Sequence, residues 1–223
     1  MRLTPAALLL ADQRTPTGGH AHSGGLEAAI LDGLEAGDVP AFLRGRLETV
    51  ALAEAAIAAA AVRAGDRRDL DALSVLDAEA WARCPSPALR EASSALGRAL
   101  LRTAERLAPA SLLPPAYRAQ SAGTPRPVAF GVTASALGLD PEQAALVSLH
   151  EDAAGVASAA VRLLALAAGR AAGWVAALGP VLERCAAAAA TTTEPSELPS
   201  PAAPLIDLRS LVHAARRERL FAT

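Results

Sequence analysis

The sequence predicts an all-α fold: a single compact multi-helix domain over 1–190, a flexible linker over 191–204 and a C-terminal docking tail over 205–223. Three observations carry this. Hydrophobic residues make up 52% of the 223, much of it alanine, the strongest helix former because its side chain has no rotamer freedom to lose. Aromatic residues, which strands favour with the β-branched ones, are only 3%. Apolar residues recur at helical spacing in several long segments.

The elements follow in order. Residues 2–11 read as a short apolar helix. Residues 12–25 are loop chemistry, with four glycines and Pro16. Ser23 is a cap for a helix running through Leu26, Ile30 and Leu34 to a C′ residue at Gly37. One long helix fits 39–64, with Leu43, Leu47, Val50, Ile57 and Ala61 on a stripe. Glu54 lies on that stripe and is read as its exposed edge, with a paired carboxylate in an interface as the alternative. A further helix runs from Asp66 to Trp81. Ser86-Pro87 is a cap and first-turn pair for the next, whose apolar face carries Leu89, Leu96, Leu100 and Leu107. Residues 108–127 hold five prolines and read as a connector with at most one helical turn. A helix resumes near Val128, and Asp140-Pro141-Glu142-Gln143 is the sharpest start signal, a capping box with proline in the first turn. Leu146, Leu149, Ala153, Val156, Ala160 and Leu164 then form a long stripe that Gly169 ends, and one more helix reaches Ala190. The Thr, Glu, Pro and Ser of 191–204 mark the linker, and the apolar, arginine-rich tail beyond it suits docking.

Composition excludes several functions. All 21 basic residues are arginine, so no lysine Schiff base and no P-loop lysine can form. A net charge of −2 gives no global field for nucleic acid, and the tail arginines Arg216, Arg217 and Arg219 lack interleaved aromatics. Cys84 and Cys185 have no zinc-ligand spacing and read as reduced, buried thiols. The apolar stretch 153–182 is interrupted by Arg162 and Arg170, short of the roughly 20 residues a membrane span needs.

The glycine pairs Gly18-Gly19 and Gly24-Gly25 lack the spacing of a phosphate-binding loop, which leaves tight turning or close approach as their use. His20 and His22 form an H-x-H pair able in principle to hold nickel or zinc, but two imidazoles do not close a site, and no metal ligand is assigned. His150-Glu151-Asp152 reads as a solvated helix face, and no G-x-S-x-G elbow is present. Read from its residues alone, the chain is a helical protein without a visible active site, and binding is favoured over catalysis.

The loop also carries a resemblance. Leu8-Leu9-Leu10-Ala11-Asp12 and Pro16-Thr17-Gly18-Gly19-His20-Ala21-His22-Ser23-Gly24-Gly25-Leu26-Glu27 resemble the N-terminal signature of the UreF family of urease accessory proteins. The likeness continues at Arg90-Glu91-Ala92-Ser93, Phe130-Gly131-Val132, Leu137-Gly138-Leu139 and Ala159–Leu163, and ends at Pro204–Leu208, His213 and Arg219-Leu220-Phe221. It implies an all-helical, cytoplasmic, non-catalytic adaptor, commonly a homodimer, that bridges the accessory protein UreD (also called UreH) and the nickel-binding GTPase UreG during delivery of nickel to apo-urease. It also implies no cofactor of the chain's own: the complex handles nickel and the partner binds GTP. Partner contacts are expected at Gly18, Gly19, His20, His22, Ser23, Gly24, Leu26 and Glu27 in the loop, and at Asp207, Arg209, Ser210, His213, Arg219, Leu220 and Phe221 in the tail. Two departures stand out. His20 and His22 occupy places where the family usually has aromatic residues, and Arg217-Glu218-Arg219 stands where Tyr-Ser-Arg is commoner. The alternative is a direct nickel metallochaperone using His20 and His22.

Overall fold

The computed structural model describes residues 4–222. The first residues of the helix expected over 2–11 lie outside that range; the rest forms α1 (Pro5–Ala11), capped by the Thr4 hydroxyl, which accepts from the Ala7 N–H at 3.2 Å. Then come α2 (Leu26–Leu31), α3 (Val39–Leu47), α4 (Val50–Asp66), α5 (Leu70–Ala82), α6 (Pro87–Leu107), α7 (Leu113–Gln120) and α8 (Arg126–Ala136). The order continues with α9 (Pro141–Leu163), α10 (Ala168–Ala177), α11 (Gly179–Thr191) and α12 (Pro204–Ala214). No strand occurs among the described residues, and none of their helices is long and apolar enough to cross a membrane.

The core is built around α4. Its alanines at 51, 53, 55, 56, 58, 59, 61 and 64 are all buried, so the helix is apolar nearly all round and must sit inside. α8, α9, α11 and α5 pack on it, and α6 closes over α8. Small side chains let these backbones come close. A Cβ on Gly131 of α8 would lie 2.3 Å from the Ala58 carbonyl oxygen and 2.5 Å from the Ala61 Cβ. Backbone cannot yield there as a side chain end can. Gly131→Ala is therefore expected to cost about 3 kcal/mol through overpacking, read as a lower urea midpoint at unchanged slope; an unaffected midpoint would show that α4 and α8 can part freely.

Several expectations hold in detail. Asp140 Oδ1 accepts from the Gln143 N–H at 2.8 Å and Gln143 Oε1 accepts from the Asp140 N–H at 3.0 Å, which completes the capping box. Ser86 caps α6. Other boundaries differ. The helix expected over 39–64 is two, broken at Thr49 (φ −124°, ψ −100°), whose hydroxyl donates back to the Gly45 carbonyl. The helix after Ser23 stops at Leu31, with Gly33 rather than Gly37 in the left-handed region at φ +99°. The helix expected from Asp66 starts after Asp69, which accepts the Ala72 N–H. The proline-rich connector folds two turns as α7, because Pro114 and Pro115 sit in its first turn, where their missing N–H groups cost nothing. α9 ends at Leu163 with Ala165 left-handed, and Gly169 lies inside α10.

Residues 191–204 run along the bundle. Leu198 is buried, and Arg83 of α5 donates to the carbonyls of Leu198 and Pro199 at 2.9 and 3.1 Å. This path returns the chain to α6, where Ser86 and Ser210 hydroxyls meet at 2.6 Å, and sets α12 beside α2.

Candidate functional site: a loop and a tail joined over an ionic layer

The loop of residues 12–25 lies across α9. Thr17 donates to Glu151 Oε1 at 3.1 Å. Gly24 shows why the loop needs glycine: its φ is +61°, and a Cβ would meet Val156 Cγ2 at 2.7 Å. The Gly24 carbonyl accepts from Arg46 at 3.0 Å. Ser23 is fully buried, and its hydroxyl accepts the Glu27 N–H at 3.2 Å, but the N-cap of α2 is Gly25, in the left-handed region at φ +85°, rather than Ser23 as expected.

Glu27 is the joint between the two ends of the chain. Its Oε2 faces His213 Nε2 at 2.9 Å and accepts the Phe221 N–H at 3.0 Å; its Oε1 accepts the Leu220 N–H at 2.7 Å. Burial opposes ionisation of this carboxyl, but the Leu220 N–H, His213 and the Phe221 N–H together hold it below the usual glutamate range. The Ala222 N–H donates to the Ala21 carbonyl at 2.8 Å. Arg162 of α9 donates to the His20 carbonyl at 2.9 Å and lays its guanidinium 4.3 Å from the centre of the buried Phe221 ring. Loop and tail thus form one continuous surface.

Under the loop lies a layer of paired charges. Arg126 donates to Glu54 of α4 at 2.9 Å and to Glu151 of α9 at 2.8 Å. Arg46 makes a forked pair with Asp152, two contacts of 2.8 Å. Burial alone would weaken the hold of Arg126 on its proton, yet Glu151 and Glu54 raise its pKa above the ordinary value. Glu54, expected at an exposed stripe edge, is instead a partner of this layer. Glu151 and Asp152, expected on a solvated face, are likewise engaged: helical periodicity assigns α9 one buried stripe, whereas the loop and α3 cover a second side of it. A cavity of about 390 Å³ opens beside the layer, lined by His22, Arg126, Glu54, Trp81, Cys84 and Asp207 among others. Burial, with Arg126 and His20 nearby, holds the His22 imidazole below its ordinary pKa. The Cys84 thiol is pushed up to about 11 by burial and by Glu54 and Asp207, which leaves it protonated and unreactive at neutral pH.

The loop and tail residues singled out in the sequence divide into two groups. Ser23, Leu26, Glu27, Ser210, His213 and Phe221 are buried and hold the unit together; Gly18, Gly19, Gly24, His22 and Asp207 are half-buried between it and the bundle. His20, Arg219 and Leu220 are exposed, and Arg209 is half-buried in an ion pair with Asp32 at 2.8 Å. Sequence reasoning did not find Arg46, Arg126 or Arg162. One signal was available for the layer: a carboxylate on the apolar stripe of α4 needs a cation opposite it. Among the described residues, no group of three or more His, Cys, Asp or Glu side chains is placed to hold a metal ion.

Fold and site together define the class: an all-helical protein whose loop and tail are built into one surface over a buried ionic layer. Comparison with known proteins supplies the family. The family model UreF matches residues 35–179. A urease accessory protein UreF of Mycobacterium sp. (strain JLS) is 40% identical over 218 residues, 97% of each chain. One of Mycolicibacterium vanbaalenii gives the same identity and coverage, and one of Mycobacterium tuberculosis (strain H37Ra) is 44% identical over 164 residues, 71% of this chain and 72% of its own. The chain belongs to the UreF family of urease accessory proteins.

Proposed function

We propose that this chain is a cytoplasmic, non-catalytic adaptor of urease maturation that bridges a UreD/UreH accessory protein and the GTPase UreG while nickel passes to apo-urease, and that it works as a homodimer. The observation that carries the reading is the Glu27 joint, which makes the loop and the tail a single surface with Leu220 and His20 exposed beside it. Family membership supplies the process, and the residue types supply the division of labour. A chain without lysine has no P-loop lysine to place on a nucleotide, so GTP belongs to a partner. Nickel is cargo of the complex, and this chain needs no cofactor of its own. The partner contacts are the loop residues Gly18 to Glu27 and the tail residues Asp207 to Phe221, the buried ones shaping the surface that the exposed ones present.

The experiment is urease activity and nickel content of urease purified from cells that express the cognate urease genes with or without this chain. Urease made in normal amount but poor in nickel without it is the expected result. Unchanged nickel content and activity would overturn the adaptor reading.

A further inference from the structure

Charge is unevenly distributed along the chain. Residues 92–139 hold Arg98, Arg102, Arg106, Arg118 and Arg126 against a single acid, Glu105, although the whole sequence is net −2. Two of these arginines are engaged: Arg126 serves the ionic layer, and Arg118 pairs with Glu105 at 2.8 Å. The other three stand on α6 at i, i+4 and i+8, each about 6 Å along the helix from the next. All three are exposed, and none has a side-chain partner among the described residues. Helical spacing turns them away from Gly97, Leu100 and Ala104, the buried side of α6 that packs toward α8.

Such a row weakens the helix that carries it, because like charges four residues apart repel. Elsewhere Arg14, Arg44, Arg184 and Arg209 each meet a carboxylate at 3.8 Å or less. Glu91, about 10 Å upstream on the same side of α6, pairs with none of the three and ends the basic strip. Spacing and surroundings select among acidic occupants. Three cations fall short of the roughly four to eight that hold an anionic membrane surface. α6 contains no aromatic residue on which bases could stack, and the net negative chain repels a long polyanion. A helix with carboxylates four residues apart repeats at the same distance of about 6 Å, so three pairs form in register.

We propose that the Arg98–Arg102–Arg106 face of α6 docks a helix of another protein that carries Asp or Glu at i, i+4 and i+8. None of the loop or tail residues assigned to partner contacts lies on this face, so it is a further interaction surface. Exposed ion pairs are individually weak and are screened by salt. The contact is therefore transient, and it steers the approach of its partner rather than holding it.

The probe is a synthetic helix of about 20 residues, alanine and glutamine with three glutamates four apart, labelled at one end. Its binding to the full-length chain is read by fluorescence anisotropy at low salt. A control of the same composition has its glutamates five apart, which scatters them round the helix. The strip peptide is expected to bind at least about tenfold more tightly than the control, and to lose that affinity as salt rises. Arg102→Glu is expected to weaken it about tenfold or more, with helical content unchanged because the side chain is exposed. The same charge reversal at Arg170, on α10, should leave binding as it was. No binding, equal binding of strip and control, or full affinity in Arg102→Glu would each overturn the proposal. So would tighter binding of an oligothymidylate of equal length, or of phosphatidylserine vesicles, than of the strip peptide. None of these outcomes bears on the nickel content of urease, so the adaptor reading stands or falls separately.

Discussion

Replacing Arg126 with leucine is expected to destabilise the whole domain by about 4 kcal/mol, the typical cost of removing one partner from a buried ion pair. The position is demanding because one guanidinium serves two carboxylates on different helices. Side chains of Arg126 and Glu151 are 13% and 9% exposed, so Glu151 would be left buried without its cation; Glu54, at 27%, would recover some water. Glu151 carries the loop through Thr17 on its carboxylate and Gln13 on its carbonyl, so the floor of the loop loosens together with the α4–α8–α9 contact. For a domain of about 200 residues this corresponds to a melting temperature roughly 10 °C lower. The variant Arg126→Met combined with Glu54→Gln and Glu151→Gln should recover most of the loss, since a neutral triad avoids the stranded charge. A single variant that melts within a degree or two of the unaltered chain would mean that water, rather than Arg126, satisfies these carboxylates.

Glu27→Ala is the second large effect, and it is local. The substitution strands the Leu220 and Phe221 N–H groups and His213, each of which meets the carboxylate at 3.0 Å or less. Hydrogen bonds to a charged acceptor contribute about 1.5–3 kcal/mol each and do not add fully. An opening equilibrium of the tail raised about a hundredfold, or ~3 kcal/mol, is a fair expectation. α4, α8 and α9 make none of these contacts, so the global melting temperature should move little while the tail opens on its own. Trypsin supplies the readout: cleavage after Arg209, Arg216 and Arg217 should accelerate by the same factor. The unaltered chain offers a pH version. Because folding holds the Glu27 carboxyl below its unfolded value, its contribution is present above the unfolded pKa and is lost as pH falls through the lowered folded one. Hydrogen exchange at the Leu220 and Phe221 amides should therefore stay slow, relative to the intrinsic rate, at neutral pH and lose protection only in acid. Protection independent of pH, or a tail as resistant in Glu27→Ala as in the unaltered chain, would show that Phe221 burial alone seats the tail.

Much of this architecture is legible in the sequence because it depends on local rules. Caps at Ser86 and Asp140 are set by residues three apart, and alanine content sets the helical class. The break at Thr49 is hidden because Leu43, Leu47, Val50 and Ile57 keep the same stripe on both sides of it, and α7 is hidden because prolines at the start of a helix look like prolines in a loop. The site divides the same way. The loop and tail residues stand out as two segments, but nothing local says that Glu27 reaches across to His213 and Phe221. The ionic layer is less legible still: Arg126 meets Glu54 across 72 positions of sequence, a pairing that periodicity cannot reveal.

The Glu27–Phe221 contact has a consequence for how the molecule is made. Its two ends are separated by 194 positions, so all of the intervening polypeptide must leave the ribosome before the carboxylate meets its donors. α4 can gather α8 and α9 much earlier in synthesis, which leaves a nascent protein with a formed interior and an unfinished exterior. A product terminated before Phe221 would still present helices, but its loop would have no tail to join.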